Sequence, residues 1–337
     1  LPLFLNILWR ETQGDDDLRR RALRGLRRYQ EAIRPAPPPA AAQHAAAGGA
    51  RLLRYGAQGQ DYPVVFVPSI INPPAVLDLS ESRSMLRHMA AAGHEAYLVD
   101  WGAPGASDAM LGLDGHVSER LVPLLATLGR PAILVGYCLG GTLAIGAAGT
   151  TPVRGVATLA SPWRFSAMAE ADRANIAAMW RSARPLCEAI GTVPMEILQA
   201  GFWAIDPART VRKYANFADV APDSDEERAF LAVEDWANSG PPLSFAAGRD
   251  LFELFYAADA PGQGEWTIGG APVALPAASL PSLSIASSTD RIVPAATTPA
   301  LGENRSLALG HVGMVVAGRA PEQLWKPLSE WLCSLGG

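Results

Sequence analysis

Cysteine is scarce in this chain, with three residues in 337: Cys138, Cys187 and Cys333. They are odd in number, share no C-x-x-C spacing and have no histidines nearby, which argues against paired disulfides and against a cysteine zinc site. A reducing, cytoplasmic setting is the simplest reading. Long apolar runs are also missing. The opening LPLFLNILWR falls short of the roughly 18 residues a spanning helix needs, and it lacks the basic start and small-residue cleavage site of an export signal. There is no basic excess either: the formal net charge is −5, which leaves no electrostatic footprint for nucleic acid over the whole chain. The chain begins at Leu1 rather than Met, which points to a start further upstream.

What the chain does have is core-forming material. At 49% hydrophobic and 18% charged it can bury a large interior, and its length suits one α/β domain carrying an insertion. The N-terminal part, 1–50, reads as a basic helix followed by a linker. From Leu18 to Arg34, Leu18, Ala22, Leu26, Tyr29 and Ile33 form a helical stripe among seven arginines, and the expectation is a solvated basic face on a helix docked to the core. Pro35 to Ala50, PAPPPAAAQHAAAGGA, is expected to form neither helix nor strand.

Short apolar runs follow at 62–68, 94–100, 131–137, 153–161, 280–288 and 304–310, bounded by Gly, Pro and Asp and separated by helical patterns. Such runs predict buried parallel strands in βαβ units, hence a doubly wound α/β sheet covered on both faces. The core is expected over 51–160 and 267–337. Between them, 161–266 loses the strand rhythm, contains breaks at Pro185, Pro194 and Pro207, and holds five of the nine tryptophans. An insertion there lies over the carboxyl edge where α/β sheets bind ligands, so it reads as a helical cap whose aromatics mainly form its own core.

The chemistry concentrates at GYCLGGTLA, Gly136 to Ala144. An apolar strand leads in and a small-residue helix leads out, the shape of a nucleophile elbow with Cys138 where serine is common. Gly136 and Gly140 permit the tight turn and close backbone approach. Asp290 follows one later strand and His311 the next, 21 residues on, in the order nucleophile, acid, histidine. In that triad His311 takes the thiol proton, and Asp290 orients the imidazole and stabilises its charged form. An oxyanion hole for acyl transfer is assigned to the backbone amides of Leu139 and Ile70. Asp100, at an earlier strand end, is the rival acid, but it precedes the elbow. His44, His88, His94 and His116 read as structural or surface residues, and Cys187 and Cys333 as packing or surface residues. No metal or tightly held organic cofactor is indicated.

With these residues in hand the chain resembles the polyhydroxyalkanoate synthases, most similar to the short catalytic subunits of the two-component type. The resemblance rests on FVPSIINPPAVLDL (66–79), GHEAYLVDWGAP (93–104), GYCLGGTLA, TLASPWRF (158–165), KYANF (213–217), ERAFLAVEDWANSGPPL (227–243), STDRIVP (288–294) and GHVGMVVAG (310–318). It implies an α/β-hydrolase fold with a cap, and a catalytic cysteine, aspartate and histidine falling on Cys138, Asp290 and His311. It also implies an acyltransferase that polymerises (R)-3-hydroxyacyl-CoA through a cysteine-bound thioester and acts on a growing polyester chain, at a granule surface in the cytoplasm. A hydrolase of the same fold, such as a polyester depolymerase or thioesterase, is the alternative. Arg181, Arg184, Arg209, Arg212 and Lys213 are candidate partners for the coenzyme A phosphates, and a homodimer and a helical partner subunit are both compatible with the sequence. The chain departs from the family in its N-terminal segment, at Leu139, where glutamine is common, and at Pro73, where a basic or polar residue is usual.

Overall fold

The computed structural model describes residues 2–57 and 62–335. Eight strands make the main sheet: β1 (Ala42–Ala47), β2 (Ala50–Arg54), β3 (Pro63–Val67), β4 (Glu95–Asp100), β5 (Ile133–Tyr137), β6 (Gly155–Leu159), β7 (Ser282–Ser287) and β8 (Glu303–Leu307). Their spatial order is β1-β2-β4-β3-β5-β6-β7-β8. The β1–β2 and β2–β4 pairs are antiparallel, and all the others are parallel. All six apolar runs became strands: β3 to β7 are buried as continuous apolar sequence in a covered sheet should be, whereas β8 is a largely exposed edge strand. Along β3 the side chains alternate between two cores, Val65 and Val67 into one, Val64 and Phe66 into the other. Each such fully buried side chain stabilises the fold by roughly 1.5–3 kcal/mol.

β1 corrects the expectation of a linker through Ala50. The prolines at 35–39 stay irregular, but the Ala-rich stretch beyond them pairs with β2 as an edge strand. Gly48 and Gly49 close the hairpin at φ 54° and 86°, a left-handed region that glycine enters without steric cost.

Between β6 and β7 the chain is mainly helical. Its long helices are α5 (Glu170–Ile190), α6 (Met195–Ile205), α7 (Pro207–Phe217) and α8 (Asp225–Ala237), followed by Phe245–Arg249 and a π-helical Asp250–Ala257. Pro194 and Pro207 do mark helix starts, but Pro185 lies inside α5 rather than breaking it. It is exposed there, so the carbonyl it leaves unpaired can turn to water. Trp163, Trp180 and Trp266 are buried in the core, whereas Trp203 and Trp236 line a cavity.

The N-terminal helices, α1 (Pro2–Glu11) and α2 (Asp16–Glu31), dock on α7 of the cap. Phe4, Ile7, Leu8, Ala22 and Leu26 form a separate small core with Val211, Tyr214 and Ala215. A side chain at Gly25 would come within 1.8 Å of the Tyr214 carbonyl oxygen, so the two helices touch backbone to backbone. The basic face is therefore not simply solvated. Arg21 and Arg24 pair with Asp219, Arg28 with Glu227 and Arg34 with Asp235. Ile33 falls off the stripe and is exposed, because α2 ends at Glu31.

Candidate active site

Cys138 sits between β5 and α4 (Leu139–Ala148), at φ 55° and ψ −133°. A non-glycine residue there is strained by about 1–3 kcal/mol, and it persists only where the surroundings leave no alternative. The glycines supply that constraint. A Cβ on Gly136 would lie 2.2 Å from the Gly141 Cα, one on Gly140 2.1 Å from the Val67 oxygen, and one on Gly141 2.0 Å from Ser161 Oγ. The elbow helix thus presses against the loop after β3 at distances that only hydrogen side chains allow. The Cys138 amide is held by the Leu159 carbonyl at 2.9 Å.

Asp290 and His311 come from the loops after β7 and β8. Asp290 Oδ1 accepts the amides of Ile292 and Val293 at 2.8 and 3.0 Å, which leaves Oδ2 to accept from His311 Nδ1 at 2.6 Å. Its carboxylate is completely buried. On its other side His311 is close enough to Cys138 for the two charges to act on each other. Burial by itself would disfavour the charged imidazole, but the Cys138 thiolate and the Asp290 carboxylate outweigh it and push His311 up to about 10. The three side chains chosen from chain order therefore meet at one cavity, with His311 bonded to Asp290 and near Cys138. The sequence reading missed Tyr137, which donates its hydroxyl to the His311 carbonyl at 3.2 Å and lays its ring 5.2 Å from the imidazole. Its place beside Cys138 is the only signal it carried.

A cavity of about 360 Å³ opens above Cys138, walled by the core loops and by the cap. Leu139 opens α4, so its amide has no acceptor inside the helix. Ile70 has a buried side chain, and its backbone joins two cavity-lining residues, Ser69 and Ile71. The Ile71 amide is taken by Ser69 Oγ, and no acceptor for the Ile70 amide is found among the described residues. Pro73, one of the departures, gives its carbonyl to Trp236 Nε1 at 2.8 Å and so ties the β3 loop to α8.

Of the five cap cations, Arg209 and Lys213 line the cavity. Lys213 is bound to the buried Glu234 at 2.8 Å. Arg184 is engaged elsewhere by Glu188 and Glu253, and Arg181 and Arg212 do not line the cavity. Arg291, which the sequence reading passed over although it adjoins Asp290, lines the cavity and pairs with Asp206 across its mouth. Asp100, the rival acid, is held by Arg51 and by the Gly102 amide, away from the cavity. The remaining histidines serve packing. His116 is buried with Nδ1 on the Gly112 carbonyl, His94 meets Ser329, and His44 and His88 lie against Tyr97 and Trp325. Cys187 is buried and Cys333 exposed. Among the described residues no cluster of three or more His, Cys, Asp or Glu could hold a metal, and no helix is long and apolar enough to cross a membrane.

The strand order, the elbow and the placement of the acid and histidine define an α/β-hydrolase. Solved structures agree on the fold. A thermophilic esterase from Thermogutta terrifontis superposes with a TM-score of 0.54, at 16% identity, covering 90% of this chain and all of that one. A monoacylglycerol lipase from Paleococcus ferrophilus gives 0.53, at 14% identity, over 84% of this chain and 98% of its own. No protein-family model matches the chain. Among curated proteins, poly(3-hydroxyalkanoate) polymerase subunit PhaC of Haloferax mediterranei is 28% identical over 305 residues, 83% of this chain and 61% of that one. The subunit of the same name from Allochromatium vinosum is 28% identical over 294 residues, 82% of this chain and 81% of its own. The chain has the α/β-hydrolase fold and is similar in sequence to these poly(3-hydroxyalkanoate) polymerase subunits, as its motifs suggest. It spans less than two thirds of the length of the Haloferax protein.

Proposed function

We propose that this chain is an acyltransferase that takes (R)-3-hydroxyacyl groups from coenzyme A onto Cys138 and passes them to a growing polyester. The observation that carries the reading is a thiol on the elbow beside a buried, hydrogen-bonded His–Asp pair beneath a capped cavity. The Cys138 thiolate attacks the thioester carbonyl carbon, and the new C–S bond forms as the bond to the coenzyme A sulfur breaks. The Leu139 and Ile70 amides hold the oxyanion. His311 hands its proton to the departing coenzyme A thiolate. In the second half the neutral imidazole accepts the proton of a 3-hydroxyl, whose oxygen attacks the enzyme thioester and releases Sγ. Asp290 stabilises the imidazolium each time it forms.

A thiol suits this sequence because exchange of one thioester for another is nearly balanced in free energy, and the bound acyl group stays reactive toward the next hydroxyl. Water in place of that hydroxyl turns the same machinery into a hydrolase, so the cap's task is exclusion of water. The reaction uses no cofactor beyond the coenzyme A carried by the substrate, and it sets the protein at a polymer surface in the cytoplasm. Arg209, Lys213 and Arg291 are the cations placed to meet coenzyme A phosphates.

The test is purified protein with (R)-3-hydroxybutyryl-CoA, following coenzyme A release together with product size. Insoluble polymer is expected. Free 3-hydroxybutyrate as the sole product would replace polymerisation with hydrolysis. No turnover of any acyl-CoA would end the enzymatic reading. Light scattering on the same preparation distinguishes a homodimer from a monomer that needs a helical partner subunit.

A further inference from the structure

The chain has seven tyrosines, and the hydroxyls of five are engaged: Tyr29 by Asp235, Tyr55 by Asp78, Tyr97 by Glu95, Tyr137 by the His311 carbonyl and Tyr214 by Glu234. Tyr62 lies outside the cavity under the Arg154 guanidinium. Tyr256 is different. It lines the catalytic cavity beside Cys138, and among the described residues its hydroxyl has no hydrogen-bond partner. Nor is it walled in. Among the described residues the side-chain atoms that are both buried and unpaired are Thr158 Oγ1 and Arg173 Nε, so the Tyr256 hydroxyl is not sealed off.

The ring is fixed rather than free. It packs edge-on against Phe165 at 5.1 Å and stacks with Phe252 at 6.3 Å. It belongs to the π-helical Asp250–Ala257, a local geometry often found at functional sites. Burial and the Cys138 thiolate both raise the phenol, which keeps it protonated and able to donate. A lone donor held in a largely apolar wall marks the place where a ligand's polar atom completes the pairing.

Which atom that is follows from placement. The oxyanion donors, Leu139 and Ile70, come from the elbow and the β3 loop, which press together at Gly140. Tyr256 comes from the insertion over the sheet, so it stands on a different element of the cavity wall from those two amides. We infer that Tyr256 Oη donates a hydrogen bond to the 3-hydroxyl of the acyl group carried on Cys138, and so selects hydroxyacyl over plain acyl thioesters. The inference rests on the acyltransferase reading above. A site built to bond a hydroxyl rejects the analogue that lacks it, because the bound analogue displaces water from the cavity and leaves the donor unpaired.

The experiment compares single-turnover coenzyme A release from (R)-3-hydroxybutyryl-CoA and from butyryl-CoA, with acylation of Cys138 checked by intact mass. Wild-type protein prefers the hydroxyacyl substrate. In Tyr256→Phe, which keeps the ring and removes only the hydroxyl, the preference falls roughly ten- to a hundredfold through slower reaction of the hydroxyacyl substrate alone. Tyr62→Phe leaves the preference unchanged. An unchanged ratio in Tyr256→Phe, or equal slowing of both substrates, overturns this assignment and leaves the acyltransferase reading standing. Release from neither substrate by the wild-type protein overturns both.

Discussion

The sheet with its elbow and the cap with its N-terminal helices are held together by different physics. In the sheet the decisive contacts are apolar side chains and backbones that meet because glycine removes the obstruction, as at Gly136, Gly140 and Gly141. In the cap they are ion pairs and aromatic edges between segments far apart in sequence, such as Arg28 with Glu227, 199 residues away, and Phe4 against Trp203 and Tyr214. The first kind tolerates almost no displacement, whereas the second answers to salt and pH. The proposed chemistry uses both: Cys138, Asp290 and His311 stand at the ends of the sheet strands, and Tyr256 stands on the insertion.

The largest test of that division is on the stiff side. Cys138→Ala should abolish first-turnover coenzyme A release, a loss of at least about a thousandfold, while circular dichroism stays that of the wild type. Asp290→Asn should cost on the order of a hundred- to ten-thousandfold, and Asp100→Asn almost nothing. Activity near wild type in Asp290→Asn would move the acid role off the β7 loop. Gly140→Ala comes next. Its Cβ meets backbone carbonyls of Val67 and Pro68 that cannot swing aside, so a destabilisation of about 3 kcal/mol is expected in urea unfolding. A change below about 1 kcal/mol would show that the elbow has more slack than its distances allow.

A smaller effect appears with pH. His311 is raised from its ordinary 6.5 to about 10, so the stability contributed by its charged form is fully present below about 6.5 and lost as pH rises through about 10. Cys138→Ala removes one of the two charges that lift it, so the alkaline limit should move to lower pH. Thermal melts of both proteins between about pH 6 and about pH 11 check this, and an identical limit in the two would remove the thiolate from the account. Smallest are the contacts of the cap. Arg28→Ala strips a mostly buried partner from Glu227 and should lower stability by about 2 kcal/mol. Arg20→Ala, whose pair with Asp17 is largely exposed on both sides, should change it by less than about 0.5 kcal/mol. Equal effects would mean that the N-terminal helices are not held to the cap through Arg28.

Legibility in the sequence followed the same line. Buried strands show as continuous apolar runs, and a nucleophile elbow shows as glycines at fixed offsets, since both are demands made over a few neighbouring residues. For that reason Cys138, Asp290 and His311 stand out from motif and chain order alone. The edge strand Ala42–Ala47 was hidden because its alanines carry no apolar signal and its pairing comes from β2. Tyr137 and Tyr256 were hidden because a tyrosine's role depends on where its hydroxyl ends, which is a property of distant neighbours.

The amino-acid sequence by itself determined six of the eight strands, the elbow and the order of nucleophile, acid and histidine, because local sterics and hydrophobic burial need only adjacent residues. Only the tertiary structure decided that the basic N-terminal helix grips the cap, that Arg209, Lys213 and Arg291 stand at the cavity while Arg184 does not, and that one tyrosine faces Cys138 with its hydroxyl unpaired. A charge or a hydrogen-bond donor takes its meaning from the partner it meets, and that partner is chosen by packing across the whole chain.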